Sequence, residues 1–305
     1  MARILVTGGA GFIGSHLVKR LITPDHNVLV IDDLSSGKRE SIPQTGGNLS
    51  FVEGNIANKS LLVDVLGEFR PDIVIHLAAL HFIPFCNQNP VRTVETNIIG
   101  TRHLLETCKI VKPDTFIFTS SGAIYGISDS KLSEEDLTEP TDIYGISKLI
   151  GEDMCRLFYL ETGIRTIISR VFNVYGPGET NPHVIPEIIK QIKEGNFELE
   201  LGNIEPKRDF INVKDVVDAY LALLTDFRGN FGIFNLGTGK EYSIREILEI
   251  CGRIRGKELK VKSENSRIRT SDRMHLLADI NKITKETCWM PRIKIEDGLR
   301  ELLTL

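Results

Sequence analysis

The chain opens on a short apolar run, Arg3–Thr7, followed at once by Gly8-Gly9-Ala10-Gly11-Phe12-Ile13-Gly14 and then by the helix-like Ser15-His16-Leu17-Val18-Lys19-Arg20-Leu21. No other feature limits the fold so strongly. Gly8 permits a tight turn, Gly11 lets a pyrophosphate approach bare backbone, and Gly14 allows close packing of helix on strand. The helix N-terminus then presents unpaired amides to the anion. Taken alone, such a loop is also an ordinary turn with a helix cap. The second apolar run, Asn27–Asp32, ends in an acid 18 residues beyond Gly14, the place for a carboxylate that accepts hydrogen bonds from an adenosine ribose. Asp32 would repel a 2′-phosphate, which favours NAD over NADP, although Lys38 and Arg39 follow closely. Phe12, Ile13 and Asp33 belong to the same candidate cofactor surface.

Through the first half, short apolar runs alternate with longer amphipathic segments, the pattern of repeated strand–helix–strand units on a parallel sheet. Strands are expected over Arg3–Thr7, Asn27–Asp32, Ser50–Glu53, Asp72–Leu77, Thr115–Thr119 and Arg165–Phe172, with helices at about 12–22, 59–69, 91–111 and 142–162. Asn58 can cap the second helix, and Pro90 stands where a first-turn proline is tolerated. After Arg170 glycine and proline cluster in Tyr175-Gly176-Pro177-Gly178 and Asn181-Pro182, marking a loop-rich connection. Beyond it helices (183–195, 213–227, 243–255, 295–303) mix with short strands (197–201, 208–212, 231–236). The expected class is α/β: a Rossmann-like doubly wound parallel sheet with a smaller C-terminal α/β substrate domain. Residues 1–172 form the cofactor domain and 173–305 mainly the substrate domain, with 231–236 free to return to the main sheet.

Composition excludes several alternatives. In 305 residues, 41% hydrophobic and 26% charged content is that of an ordinary globular protein, not a disordered or disulfide-built chain. The balance of 37 basic against 41 acidic residues gives −4, so no general positive field attracts nucleic acid or an anionic membrane. The five cysteines (Cys86, Cys108, Cys155, Cys251, Cys288) form no C-x-x-C pair and total an odd number, which points to reduced thiols in a cytoplasmic compartment. Met1-Ala2-Arg3 leads straight into the first strand, with no signal-peptide pattern. The longest apolar run, Ile73–Leu80, is broken by His76 and falls short of the ~20 residues of a membrane span.

Tyr144-Gly145-Ile146-Ser147-Lys148 places a phenol and an ammonium four residues apart, on one face of a helix. A tyrosine near pKa 10 is a poor base, but a neighbouring cation favours the phenolate. Tyr144 can then take the proton of a hydroxyl whose carbon gives hydride to NAD. Such a pair is most often only a solvated helix face. Here it has company: strand Thr115–Thr119 runs into Ser120-Ser121-Gly122-Ala123-Ile124-Tyr125-Gly126 at a strand's C-terminal end, where open α/β sheets bind ligands. Ser121 can bond the same substrate oxygen, or simply cap a turn.

Thr7–Gly14, Asp32, His76-Leu77-Ala78-Ala79, Asn97-Ile98-Ile99-Gly100-Thr101, Thr119-Ser120-Ser121 and Tyr144-x-x-x-Lys148 together resemble the NAD-dependent epimerase/dehydratase family, the extended short-chain dehydrogenases. Arg170–Gly178, Arg208-Asp209-Phe210-Ile211, Asn235–Gly239, Arg269-Thr270-Ser271-Asp272 and Trp289-Met290-Pro291 carry the likeness on. The resemblance implies that Tyr144 is the base, Lys148 grips the nicotinamide ribose and Ser121 pairs with the substrate oxygen. It adds Asn55, Ile56, Leu77, Ala78, Ala79 and Asn97 to the cofactor surface. It places Asn173, Arg208 and Arg269 at the phosphates of a nucleotide-diphosphate sugar and Asp272 near the nucleoside ribose. Arginine suits a diphosphate because its planar fork donates two parallel charged bonds. One departure is Gly54-Asn55-Ile56, where relatives commonly carry an adenine-contacting Asp; Asn55 can still accept a bond there.

Dehydratases of the family follow the small hydroxyl residue with an Asp-Glu pair, and some epimerases use a Cys there; this chain has Gly122 and Ala123. Neither moves a proton. The resemblance therefore implies 4-epimerisation of the UDP-glucose/UDP-galactose type through a transient 4-keto sugar, with a 4-keto-6-deoxy-sugar reductase, on a GDP-sugar, as the alternative and a non-catalytic dinucleotide sensor as a third reading. Relatives pair as homodimers through the helices at 91–111 and 142–162, and Leu104, Leu105, Met154, Leu157 and Phe158 are the apolar positions considered for that face. His16, His26, His76, His81, His103, His183 and His275 show no metal-ligand spacing, so no metal is expected. His76 reads as a satisfied core histidine, His81, Phe82 and Cys86 as pocket-shaping, and Lys257–Lys262 as a solvated face.

Overall fold

Strict alternation of inward and outward apolar side chains lets one sheet bury both faces, and the intervening amphipathic segments supply the covering helices. The computed structural model describes residues 1–263 and 273–305. In chain order the elements are β1 (Ala2–Thr7), α1 (Phe12–Leu21), β2 (His26–Asp32), β3 (Leu49–Glu53), α2 (Lys59–Phe69), β4 (Ile73–His76), α3 (Ile83–Gln88), α4 (Pro90–Val94), α5 (Thr101–Val111), β5 (Thr115–Ser121), α6 (Ile143–Thr162) and β6 (Arg165–Val171). There follow β7 (Asn173–Tyr175), α7 (Val184–Lys193), β8 (Glu198–Leu201), β9 (Lys207–Arg208), β10 (Phe210–Asn212), α8 (Val213–Thr225), β11 (Phe231–Leu236), β12 (Tyr242–Ser243), α9 (Ile244–Arg255), β13 (Lys260–Ser263), α10 (Asn281–Thr287) and α11 (Ile295–Thr304).

Seven strands form one parallel, Rossmann-like sheet in the order β11-β6-β5-β4-β1-β2-β3. The order reverses between β1 and β4, and a ligand crevice opens beyond their C-terminal ends. On one face Val6, Val30 and Ile117 pack on Leu17 and Val18 of α1 and Val216 and Tyr220 of α8. On the other, Leu5, Leu29 and Phe116 pack on Leu62 of α2, Leu104 of α5 and Phe158 of α6. Each such side chain contributes roughly 1.5–3 kcal/mol by leaving water. A third core joins α7, α9 and α11 through Ile188, Ile247 and Leu299. Strand β11 lies beside β6, Phe231 opposite Thr166, so chain from the second half completes the sheet.

Three expectations change: the strand expected over 208–212 breaks at Asp209 into β9, which pairs with β12, and β10, which pairs with β7. The single helix anticipated over 91–111 is divided: α4 and α5 flank a π-type turn at Glu95–Gly100, an irregularity that often marks functional sites. The stretch Lys257–Lys262, read as a solvated face, ends in β13, where Val261 pairs opposite Leu199 of β8 and packs against the third core. Lys262 meets Glu200 at 2.9 Å on the exposed side, so alternation hides one apolar residue among charges. No helix among the described residues is long and apolar enough to cross a membrane.

Candidate functional site

The glycine loop joins β1 to α1 at the switch point. Gly8 adopts a left-handed φ of 74°, and its amide reaches the Ile31 carbonyl of β2 at 2.8 Å. A Cβ on Gly14 would collide with the Gly8 carbonyl, so α1 can approach the loop only without a side chain there. Gly11 caps α1 with no side-chain acceptor, and the first turn holds no acid. The helix's positive end therefore stays open to an anion.

Asp32 ends β2 with one oxygen accepting from the Ala10 amide at 2.9 Å and the other from the Leu34 amide at 2.9 Å. Burial raises its carboxyl above the ordinary value while these amides pull it down. Asp33 accepts from Asn55 Nδ2 at 2.8 Å, and Ala57 N–H donates to Asn55 Oδ1 at 2.8 Å. Asn55 thus braces Asp33 on the rim. A cavity of about 890 Å³ runs from Gly8, Gly11, Phe12, Ile13 and Gly14 past Asp32, Asp33, Asn55, Ile56 and Leu77-Ala78-Ala79 to Ser121, Tyr144 and Lys148, and on to Asn173 and Arg208. Asn97 departs from expectation. It is buried behind the wall, its amide bonded to both the N–H and carbonyl of Leu80 and to Ser147 Oγ, each within 2.9 Å. It holds the wall in place and does not line the cleft. Arg269 and Asp272 lie outside the described residues.

Strand β5 delivers Ser121 to the cleft, and α6 starts where the Asp142 carboxylate accepts from Gly145 N–H at 2.8 Å. Tyr144 and Lys148 follow on one face of α6. Lys148 Nζ donates to the Thr119 carbonyl at 2.7 Å and lies 5.9 Å from the centre of the Tyr144 ring. Burial pushes Tyr144 above its ordinary value, and the Ser121 hydroxyl is the group pulling it down. Lys148 itself is pushed down to about 8 by burial. Desolvation outweighs the nearby charge.

Glu152 and Arg273 carry no mark in the linear sequence. Glu152, two turns after Tyr144 on α6, accepts from Ser120 Oγ and pairs with Arg170 at 2.8 Å, both side chains 5% exposed. Arg170 also donates to the Tyr125 hydroxyl at 2.9 Å, and that hydroxyl donates to Asn235 at 2.6 Å. This network ties β5, α6, β6 and β11 together under Ser121. Arg273 lines the cavity beside Ala123 and donates to the Ala123 carbonyl and Thr141 Oγ1, each at 3.1 Å. Arg208 donates to the Arg273 carbonyl at 2.7 Å. Beside it, buried Asp209 accepts from Thr238 and Gly239 amides, and burial raises it to about 6. His76 is a core residue between Thr7 and Thr101 hydroxyls at 2.7 and 2.9 Å. Cys86 is buried outside the cavity wall, whereas His81, Phe82 and His183 line it.

Comparison with known proteins places this geometry. Residues 4–237 match the model of the NAD dependent epimerase/dehydratase family. A GDP-6-deoxy-D-mannose reductase of Pseudomonas aeruginosa is 32% identical, the alignment covering 99% of this chain and 96% of that one. The structure of UDP-glucose 4-epimerase with UDP-glucose from Thermotoga maritima is 33% identical with a TM-score of 0.91, covering 99% and 97% of the two chains. The Thermus thermophilus UDP-glucose 4-epimerase complex with NAD is 30% identical with a TM-score of 0.90, covering 99% and 98%.

Proposed function

The chain belongs to the NAD-dependent epimerase/dehydratase family, and within it we propose a nucleotide-sugar 4-epimerase of the UDP-glucose/UDP-galactose type. The residues fit NAD: an uncapped helix N-terminus faces the cleft at Gly11, and the Asp32 carboxylate stands at the end of β2. Gly8, Gly11, Phe12, Ile13 and Gly14 would hold the pyrophosphate, Asp32 and Asp33 the ribose, and Lys148 the nicotinamide end. Bound there, NAD would supply a reversible hydride acceptor for the sugar C4 and a positive charge that favours the phenolate.

The observation that carries this reading is that Tyr144, Ser121 and Lys148 line one cleft whose positions after Ser121 are Gly122 and Ala123. Tyr144 takes the O4 proton and gives it back, and Ser121 holds O4 during both transfers. Gly122 and Ala123 offer no group for dehydration or for epimerisation beside a keto carbon. Asn173 and Arg208 hold the diphosphate. A second reading, reduction of a 4-keto-6-deoxy GDP-sugar with NAD(P)H, has support from the Pseudomonas relative and would use Tyr144, Ser121 and Lys148.

The test is a screen of UDP-, GDP-, CDP- and dTDP-hexoses against protein carrying only its retained cofactor. Interconversion of a pair of 4-epimers without added cofactor is the expected result. Turnover that needs stoichiometric NAD(P)H assigns the reductase instead.

A homodimer through α5 and α6 is part of the proposal, with a changed contact set. Leu104, Leu105 and Phe158 are buried and Met154 packs against the same core, leaving Leu157 exposed among the residues first considered. Exposed Ile110, Ile146, Ile150 and Leu160 join it as the apolar face.

A further inference from the structure

Two loops far apart in sequence bring three metal-ligating side chains to one wall of the cleft. His81 lies between β4 and α3, whereas Glu179 and His183 lie between β7 and α7. One ligand atom from each can be chosen so that all lie within 4.8 Å of one another, and all three residues line the cavity. The two imidazole rings stand 5.9 Å apart, and Phe82 packs edge-on against His183 at 5.4 Å. The linear spacing of the histidines gives no hint of the set, because His183 lies 102 positions beyond His81.

Asn181 reports how these groups are oriented. Its Nδ2 lies 3.3 Å from Glu179 Oε1 and 3.1 Å from His81 Nε2, and its backbone N–H donates to the same Oε1 at 2.8 Å. Against a carboxylate the amide nitrogen donates, so His81 Nε2 accepts from Asn181 and carries no proton. That is the tautomer a metal requires. Two imidazoles with one carboxylate are a zinc-type donor set, and three protein ligands leave a fourth position. Bonds of about 2.0–2.2 Å bring the ligand atoms closer than they stand here, a change made by side-chain rotation in two loops.

We propose that His81, Glu179 and His183 form a site for a divalent transition-metal ion of the zinc class, with its open position toward the cleft. The bound ion links the β4–α3 loop to the β7–α7 loop, and an oxygen of whatever occupies the cleft, water, hydroxyl or phosphate, completes its shell. The donor set favours zinc or cobalt over magnesium and calcium, which take oxygen ligands.

Metal-stripped, reduced protein titrated with cobalt(II), followed by visible absorption, and with zinc(II), followed by calorimetry, tests the site. One equivalent of each is expected to bind, with magnesium unable to compete. His81→Ala, Glu179→Gln and His183→Ala should each weaken binding by about a hundredfold or more, beyond the loss typical of outer-shell partners. Cys288→Ser, at the one exposed cysteine, should change nothing. A melting curve checks each variant, and His183→Asn carries the test should His81→Ala fail to fold. Absence of one-equivalent binding, or cobalt spectra and affinities unchanged in the histidine variants, overturns the site.

Discussion

Lys148 donates to the Thr119 carbonyl at 2.7 Å and stands 5.9 Å from the centre of the Tyr144 ring one turn earlier on the same helix. The ammonium fastens α6 to the end of β5, and the Ser121 hydroxyl, in the same cleft, draws the phenol down from the value that burial gives it. Tyr144→Phe removes the proton carrier and keeps the ring. We expect kcat to fall by about 10²–10⁴-fold with an unchanged melting temperature. A wild type inactive on every sugar nucleotide, with an indistinguishable variant, returns the dinucleotide-sensor reading.

The close approach of α1 to the glycine loop predicts that Gly14→Ala loses the cofactor. The added methyl meets the Gly8 carbonyl and must push loop and helix apart. Overpacking of this kind costs about 1–3 kcal/mol. Purified variant should carry little NAD by its absorbance ratio and melt earlier than wild type; full cofactor content would refute the geometry.

Burial holds the His76 imidazole down to about 3, against 6.5 for a free side chain. The unfolded chain takes up that proton near pH 6.5 and the folded chain only near pH 3. This contribution is therefore complete above pH 6.5, and stability falls as pH drops through the interval, by about 1.4 kcal/mol per unit from this group. Urea denaturation between pH 7 and pH 4 should show a flatter profile for His76→Asn than for wild type.

Glu152→Ala leaves the Arg170 guanidinium buried without its counter-charge. Removing one partner of such a pair costs about 3–5 kcal/mol, whereas apolar replacement of both is often far milder. Glu152→Met with Arg170→Met should therefore unfold at higher urea than Glu152→Ala alone. The opposite order would mean that the rest of the network, not the ion pair, sets the stability.

The apolar face of α5 and α6 predicts a dimer in solution. Light scattering at micromolar concentration should give twice the 34.2 kDa chain mass. Replacing Leu157 and Leu160, 52% and 70% exposed, with Lys should give monomer. A wild-type monomer refutes the pairing.

The parallel sheet, the phosphate loop and the placement of Asp32, Ser121, Tyr144 and Lys148 are legible in the residues because each rests on local rules. Glycine best suits the left-handed φ of Gly8, where a Cβ would also strike the Ala78 backbone, alternating Ile4, Leu5 and Val6 face opposite layers, and helical spacing stacks Tyr144 over Lys148. Asn97 reads as cleft-lining in the sequence, but its amide is taken by Leu80 and Ser147, and Ser147 lies fifty residues away. Leu104 and Phe158 read as candidates for a subunit face, but the core claims them.

What the linear chain determined is the kind of fold and the chemistry its strand ends can present. What only the tertiary structure decided is which distant groups meet there: Glu152 with Arg170, Arg273 with Ala123, and His81 with Glu179 and His183. The balance of charge and burial at Tyr144 was decided there too. Local periodicity and turn geometry act over a few residues and are written in sequence, whereas desolvation and side-chain convergence depend on what the whole sheet brings together.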